Sequence, residues 1–308
     1  MAFDLQGHRG ARGLAPENTL PAFATALSLG VSTLELDVGV TKDGVVVIAH
    51  DRRLNPDITR DAQGRWLEPP APTVRSLSYA EIQGYDVGRV RPGIDYAKRY
   101  PEQKPMDGTR MPRLSDLFLL IKKSGNATVR LNIETKLSPL APEEAPDPET
   151  FARAFIDVVR AAGMEERVTM QSFDWRTLKL AQGLAPRVHT SCLTAQQKWT
   201  DNILAGRAGG SPWVAGFQLE EHGSVPRMVK AAGCGTWSPF FGDIDAAKVA
   251  EALALGLKVL PWTINEPAQI RQALDLGVGG LISDRPDIVR QVMAERGMAL
   301  PKPTPVAP

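Results

Sequence analysis

Glu35 and Asp37 lie two residues apart in the largely apolar run Thr33-Leu34-Glu35-Leu36-Asp37-Val38. Side chains two apart on a β-strand point to the same face, so both carboxylates project together and Leu36 faces the other way. Two like charges side by side in an interior are costly unless something positive offsets them. A hard divalent cation, Mg²⁺ or Ca²⁺, suits the pair because both ions favour carboxylate oxygen. A nearby arginine is the blander partner. The spacing recurs at Asn132-Ile133-Glu134-Thr135-Lys136, which puts Asn132, Glu134 and Lys136 on one face. Either pattern alone is common on solvated strands. Imidazoles stand at two strand ends. His8-Arg9-Gly10 closes the first strand, and His50-Asp51 follows the apolar run Val45-Val46-Val47-Ile48-Ala49. A core or rim histidine with a backbone partner is the competing reading for His50, and His189 and His222 are read that way outright.

Positioning such groups requires a scaffold, and the chain supplies a repeating one. Strand patterns fall at 3–8, 33–38, 129–134, 168–171, 188–193, 236–240, 258–263 and 280–283. Amphipathic helical stretches lie between them, for example at 19–29, 148–162, 175–183, 246–255 and 268–276. Several close on a glycine (Gly30, Gly163, Gly183, Gly256, Gly277), which fits a left-handed position after the helix end. The alternation predicts a (β/α)8 TIM barrel as a single domain over 1–300, whose active site would lie at the C-terminal ends of the strands.

The run 45–50 follows the second strand after only Thr41-Lys42-Asp43-Gly44, too short for a helical crossover, so a β-hairpin arm folding over the rim is expected. The run 214–219 is assigned to an insertion at about 193–235. Residues 51–115 are irregular and proline-rich, with one short helix at 79–82. They read as a cap insertion at the C-terminal rim or as a solvated loop. The proline-rich tail 301–308 reads as disordered.

Bulk properties narrow the function classes. The chain has 308 residues, 43% hydrophobic, with a formal net charge of +1, so overall charge predicts no nucleic-acid or membrane partner. No apolar run is long enough for a spanning helix. Cys192 and Cys234 match no zinc spacing and read as two buried thiols. A strand beginning almost at the first residue suggests a trimmed periplasmic or secreted chain, with a compact cytosolic enzyme as the alternative. Oligomeric state leaves no trace in the sequence.

The segment from His8 to Thr19, His-Arg-Gly-Ala-Arg-Gly-Leu-Ala-Pro-Glu-Asn-Thr, resembles the N-terminal signature of glycerophosphodiester phosphodiesterases. So do Glu35-Leu36-Asp37 with Lys42-Asp43-Gly44 and His50-Asp51, and then Asn132 to Lys136, Gln171-Ser172-Phe173, Trp262-Thr263-Ile264-Asn265 and Ser283-Asp284-Arg285-Pro286. Each motif is short, but the ordered set is specific. The resemblance implies that Glu35, Asp37 and Glu134 bind one divalent metal and that His8 and His50 are the acid–base pair. It implies that Arg9 and Lys136 meet the phosphate and that Trp262 lines the pocket. Asn132, Gln171 and Asp284 are further candidates by position.

The expected reaction is hydrolysis of small-molecule glycerophosphodiesters to sn-glycerol 3-phosphate and an alcohol through a cyclic phosphate, the two histidines exchanging acid and base roles. Around this set, Gly10 and Gly13 are expected to turn the chain out of the first strand. Asn18 or Thr19 should cap the following helix, with Pro21 in its first turn. Trp237, Phe240 and Phe241 read as core. The same site could serve a lysophospholipase D-like hydrolase. A non-catalytic phosphodiester-binding protein would be expected to lack one of these groups, and a glycoside hydrolase would not need two histidines and a basic set.

Overall fold

The computed structural model describes residues 2–308. Its strands are β1 (Asp4–Gly7), β2 (Thr33–Val40), β3 (Val46–Ile48), β4 (Arg130–Thr135), β5 (Val168–Ser172), β6 (His189–Thr194), β7 (Gln196–Gln197), β8 (Thr200–Asp201), β9 (Thr236–Pro239), β10 (Lys258–Val259) and β11 (Gly280–Ser283). Eight of them pair in parallel in the order β10-β9-β6-β5-β4-β2-β1-β11. The two ends of this order meet through backbone bonds beyond the regular strands. Gly279 N–H donates to Val259 O, Ile282 N–H to Pro261 O and Ile264 N–H to Ile282 O, each at 3.0 Å. The sheet is therefore a (β/α)8 barrel, as the alternating pattern predicts. The arm is a hairpin too, since β3 pairs antiparallel with the end of β2.

Eleven α-helices accompany the strands among the described residues, most of them on the outside. They are α1 (Leu20–Leu29), α2 (Tyr79–Ile82), α3 (Asp95–Arg99), α4 (Leu114–Lys123), α5 (Pro148–Ala161), α6 (Trp175–Leu184), α7 (Leu219–His222), α8 (Val225–Ala231), α9 (Ala246–Ala254), α10 (Pro267–Asp275) and α11 (Pro286–Glu295). Strand β2 shows how the barrel sorts its residues. Leu34, Leu36 and Val38 join the apolar layer against the helices, while Glu35 and Asp37 point into the barrel. Burying each such leucine contributes roughly 1.5–3 kcal/mol, which offsets the cost of the acids beside it. Residues between β3 and α4 carry their own apolar cluster around Val47, Leu54, Val74 and Ile82.

Five expectations need correction. Residues 214–219 form no strand; they lead through a turn into α7. Gly183 lies within α6, which runs on until Pro186 blocks it; the other four glycines do take positive φ. Cys192 and Cys234 form a disulfide, because adjacent strands β6 and β9 bring their Cα atoms to 5.9 Å, within bridging range. His189 is exposed, at the opposite end of β6 from the barrel mouth. The tail is docked: Thr304 N–H donates to Leu27 O at 2.8 Å, and Asn126 and Lys123 donate to Thr304 and to Ala307 O.

Candidate active site

The first strand ends in a tight turn that packs against α1. Gly10 has φ 88°, and a Cβ there would sit 2.7 Å from the Ala22 backbone. Arg9 before it also adopts a positive φ of 50°. This turn aims the Arg9 N–H at Glu35 Oε2, 3.0 Å away, and sends its guanidinium to Glu17 at 2.6 Å and Asp37 at 3.4 Å. Thr19 caps α1 by accepting from Ala22 N–H, with Pro21 in the first turn. Asn18 turns away from the helix instead. With φ 56°, its side-chain amide donates to Asp37 Oδ2 at 2.9 Å.

Register brings the acids together. Asp37 of β2 stands opposite Glu134 of β4, and Glu35 opposite Asn132. Oxygens of Glu35, Asp37 and Glu134 lie within 4.8 Å of one another, and all three residues are buried. Lys136 Nζ donates to Glu134 at 2.8 Å and lies 3.8 Å from Asp37. Gln171 donates to Glu35 at 2.6 Å. Asn132 lies below this layer and donates to Gln6 and Gln171.

Burial and the neighbouring Asp37 push the Glu35 carboxyl well above its ordinary range. Burial, opposed by Lys136, pushes Glu134 up to about 7. Burial would raise Asp37 as well, but His50, Arg9 and Lys136 hold it low. The wider cluster has five buried carboxylates, on Glu17, Glu35, Asp37, Glu134 and Asp284. Against them stand the cations of Arg9, Arg12 and Lys136, all largely buried. The cluster thus holds more carboxylates than cations, and its all-oxygen donor set suits a divalent ion such as Mg²⁺ or Ca²⁺. The arginine alternative is also partly realised, since Arg9 neutralises Asp37 and Glu17 without closing the deficit.

Both imidazoles are fixed through Nδ1. His8 Nδ1 is 2.6 Å from Asp284 Oδ1, and that carboxylate also accepts from Arg12 Nε at 2.8 Å and Asn265 Nδ2 at 2.8 Å. His50 Nδ1 is 2.9 Å from Asp51 Oδ1. A neutral ring that donates from Nδ1 leaves its Nε2 lone pair free. Burial, helped by the Arg12 charge, pushes His8 down to about 4. Burial and Arg9 also lower His50. Without a bound anion, both rings are therefore poised as bases, and one must gain a proton to serve as an acid.

His8 and His50 line one cavity of about 510 Å³ together with Arg9, Glu35, Asp37, Glu134, Lys136 and Trp262. Every candidate named from sequence is in it except Asn132 and Asp284, which act from behind. Arg52 and Arg99, from the irregular 51–115 segment, reach the same cavity. Tyr96 of that segment bonds Glu17. Phe240 was expected in the core, yet it lines the cavity because β9 ends there; Trp237 is fully buried and Phe241 packs against the core. Sequence reasoning gave no role to Arg12, Glu17, Phe173, Trp199 or Trp213. The first two lie inside the N-terminal signature and could have been found there. Phe173 likewise lies in the Gln171-Ser172-Phe173 motif, whereas Trp199 and Trp213 carry no local signal.

The glycerophosphoryl diester phosphodiesterase family model matches residues 8–288. A structure of the provisionally named glycerophosphoryl diester phosphodiesterase of Silicibacter pomeroyi is 36% identical, with a TM-score of 0.85 over 97% of this chain and 95% of that one. A glycerophosphodiester phosphodiesterase of Caldanaerobacter subterraneus subsp. tengcongensis is 26% identical over 94% of this chain and 97% of its own length. An Oleispira antarctica phosphodiesterase, solved with the product sn-glycerol-3-phosphate, shares the fold at 21% identity and a TM-score of 0.68, covering 94% of this chain and 96% of that one.

Proposed function

Because this chain belongs to the glycerophosphoryl diester phosphodiesterase family, and is thus a phosphoric diester hydrolase, we propose that it cleaves glycerophosphodiesters to sn-glycerol 3-phosphate and an alcohol by metal-assisted histidine catalysis. One observation carries the catalytic part: two imidazoles, each oriented by an aspartate, line one cavity with three convergent acids.

Glu35, Asp37 and Glu134 would hold a divalent cation, which when bound supplies positive charge for the anionic phosphodiester. Lys136 and Arg9 add to that field from their paired positions. One histidine takes the proton from a glycerol hydroxyl as it attacks phosphorus. The other, which must first take up a proton at Nε2 as the anionic diester enters, gives that proton to the departing alcohol oxygen. The cyclic phosphate that results is opened by water with the two roles exchanged, each imidazole returning to its first protonation state. Asp284 and Asp51 keep each ring in the tautomer that presents Nε2. The 51–115 segment acts as a cap over this chemistry, with Arg52 and Arg99 facing the substrate.

The test is an assay of several glycerophosphodiesters after chelation and after adding back Mg²⁺ or Ca²⁺. Turnover should vanish with chelator and return with one of the ions. His8→Ala and His50→Ala should each lower kcat by about 10²–10⁴-fold while circular dichroism stays unchanged. Full turnover in excess chelator would refute the metal assignment. We also place the chain in an oxidising compartment, periplasmic or secreted; the Cys192–Cys234 bridge supports that. Fractionation that found the chain wholly cytosolic would remove it.

A further inference from the structure

The order of strands divides the cavity in two. Among the described residues, the loops after β1, β2 and β4, with the segment 51–115 above them, supply every histidine, arginine and lysine on its wall. Loops after β5, β6, β9 and β10 supply the other side, where Phe173, Trp199, Trp213, Phe240 and Trp262 stand. The only charged residue among those described on that side is an acid, Asp201.

The aromatic rings are built into a fixed arrangement. Trp262 meets Phe173 and Phe240 with ring centroids 5.5 Å apart in both cases, edge to face, and its indole N–H donates to Ser238 O at 3.0 Å. Trp199 stands at the tip of the β7–β8 hairpin, 5.3 Å from Phe240 and 6.2 Å from Trp262. It is 63% exposed, an unusual position for an indole with no binding role. Its hairpin is nonetheless anchored: Gln196 N–H donates to Asp243 at 2.8 Å, and Asn202 donates to Phe173 O at 3.1 Å and Leu193 O at 3.0 Å.

Resting on the hydrolase reading above, we propose that this aromatic wall, with Trp199 as its outer member, binds a quaternary ammonium head group, so that choline-type diesters are the preferred substrates. The attacking glycerol hydroxyl must lie among the histidines and acids. In-line displacement sends the leaving alcohol away from that oxygen, towards the opposite wall. Ring faces attract a diffuse cation; Asp201, although its Oδ1 accepts from Ile203 and Leu204 N–H, adds negative charge, and Lys198 beside Trp199 does not line the cavity. The Asn202 amide on this wall is already committed to Ala195 N–H, Phe173 O and Leu193 O, which leaves Thr200, Thr263 and Asp201 for a polyhydroxylated head group, and an anionic one would meet Asp201.

The experiment compares kcat/KM for glycerophosphocholine, glycerophosphoethanolamine, glycerophosphoglycerol, glycerophosphoinositol and a lysophosphatidylcholine, in wild type, Trp199→Ala and Trp199→Phe. The expected result is that wild type favours glycerophosphocholine over glycerophosphoglycerol by tenfold or more. Trp199→Ala should cut that ratio by about five- to tenfold, and Trp199→Phe should retain most of it. Choline should inhibit better than its neutral isostere 3,3-dimethylbutan-1-ol. Equal rates on the choline and glycerol diesters, equal inhibition by the two alcohols, or a Trp199→Ala loss that is the same for all substrates would overturn the proposal while leaving the hydrolase reading intact. A preference set by the acyl chain of the lysolipid would also overturn it. Turnover of none of the diesters would instead refute the hydrolase reading.

Discussion

Asp284 was named from sequence only by its place in a short motif, yet its carboxylate takes three donors, from His8, Arg12 and Asn265. Burial would raise its pKa, but Arg12 and then His8 hold it well below the carboxylate range, so it stays ionised and keeps His8 in one tautomer. Asp284→Asn should lower kcat by about 10²–10⁴-fold through the wrong tautomer, with KM little changed. Steady-state kinetics decide this; a rise in KM at constant kcat would assign Asp284 to binding instead. The acids call for a different readout. Glu35→Ala should lower activity and also raise the cation concentration needed for half-maximal turnover. Titration calorimetry of Ca²⁺ or Mg²⁺ into wild type and variant tests the second effect without turnover.

Element by element, the barrel strands and five named helices were legible because their periods of 2 and 3.6 are repeated and bounded by glycine or proline. The hairpin arm was legible from the shortness of Thr41 to Gly44. The segment between β6 and β9 was not. It holds β7, β8, α7 and α8, and its apolar residues serve a cavity wall and a barrel helix in turn, so no single period runs through it. The disulfide spans 42 residues of that segment. In the chain-entropy picture a loop of that size contributes roughly 4 kcal/mol. A Cys192→Ser, Cys234→Ser double variant should lose about 2–4 kcal/mol in urea unfolding, and reduction of wild type should match it. No change in the unfolding midpoint would mean that packing alone orders the segment.

On the scale of the whole barrel, Asp4 fastens the end opposite the active site. It lies on β1, is almost fully buried, and contacts Lys258 of β10, Arg130 of β4 at 3.1 Å and Thr33 of β2 at 2.6 Å. Burial would raise its pKa, but Lys258 and Arg130 hold it below the ordinary value. A carboxylate with a lowered folded pKa contributes stability above its unfolded value, ~3.9, and loses it as pH falls through the folded one. Asp4→Asn should therefore cost about 2–3 kcal/mol at pH 7, less than a fully dry pair because Lys258 and Arg130 keep some water. As pH falls below ~3.9 the gap between variant and wild type should narrow. A gap of the same size at pH 7 and pH 3, measured by denaturant unfolding, would show that the charge contributes nothing.

The sequence alone determined the fold class and marked the three acids and the two histidines as candidates, because alternation along a strand fixes which side chains share a face, and the ordered motifs single out the rest. Tertiary structure alone decided which strand stands beside which. That neighbourhood sets Asp37 opposite Glu134, brings Asp284 of the last strand to His8 of the first, and gathers aromatic residues from four separate loops into one wall. Contacts between residues so far apart in the chain depend on strand order and barrel closure, which no local window of sequence contains.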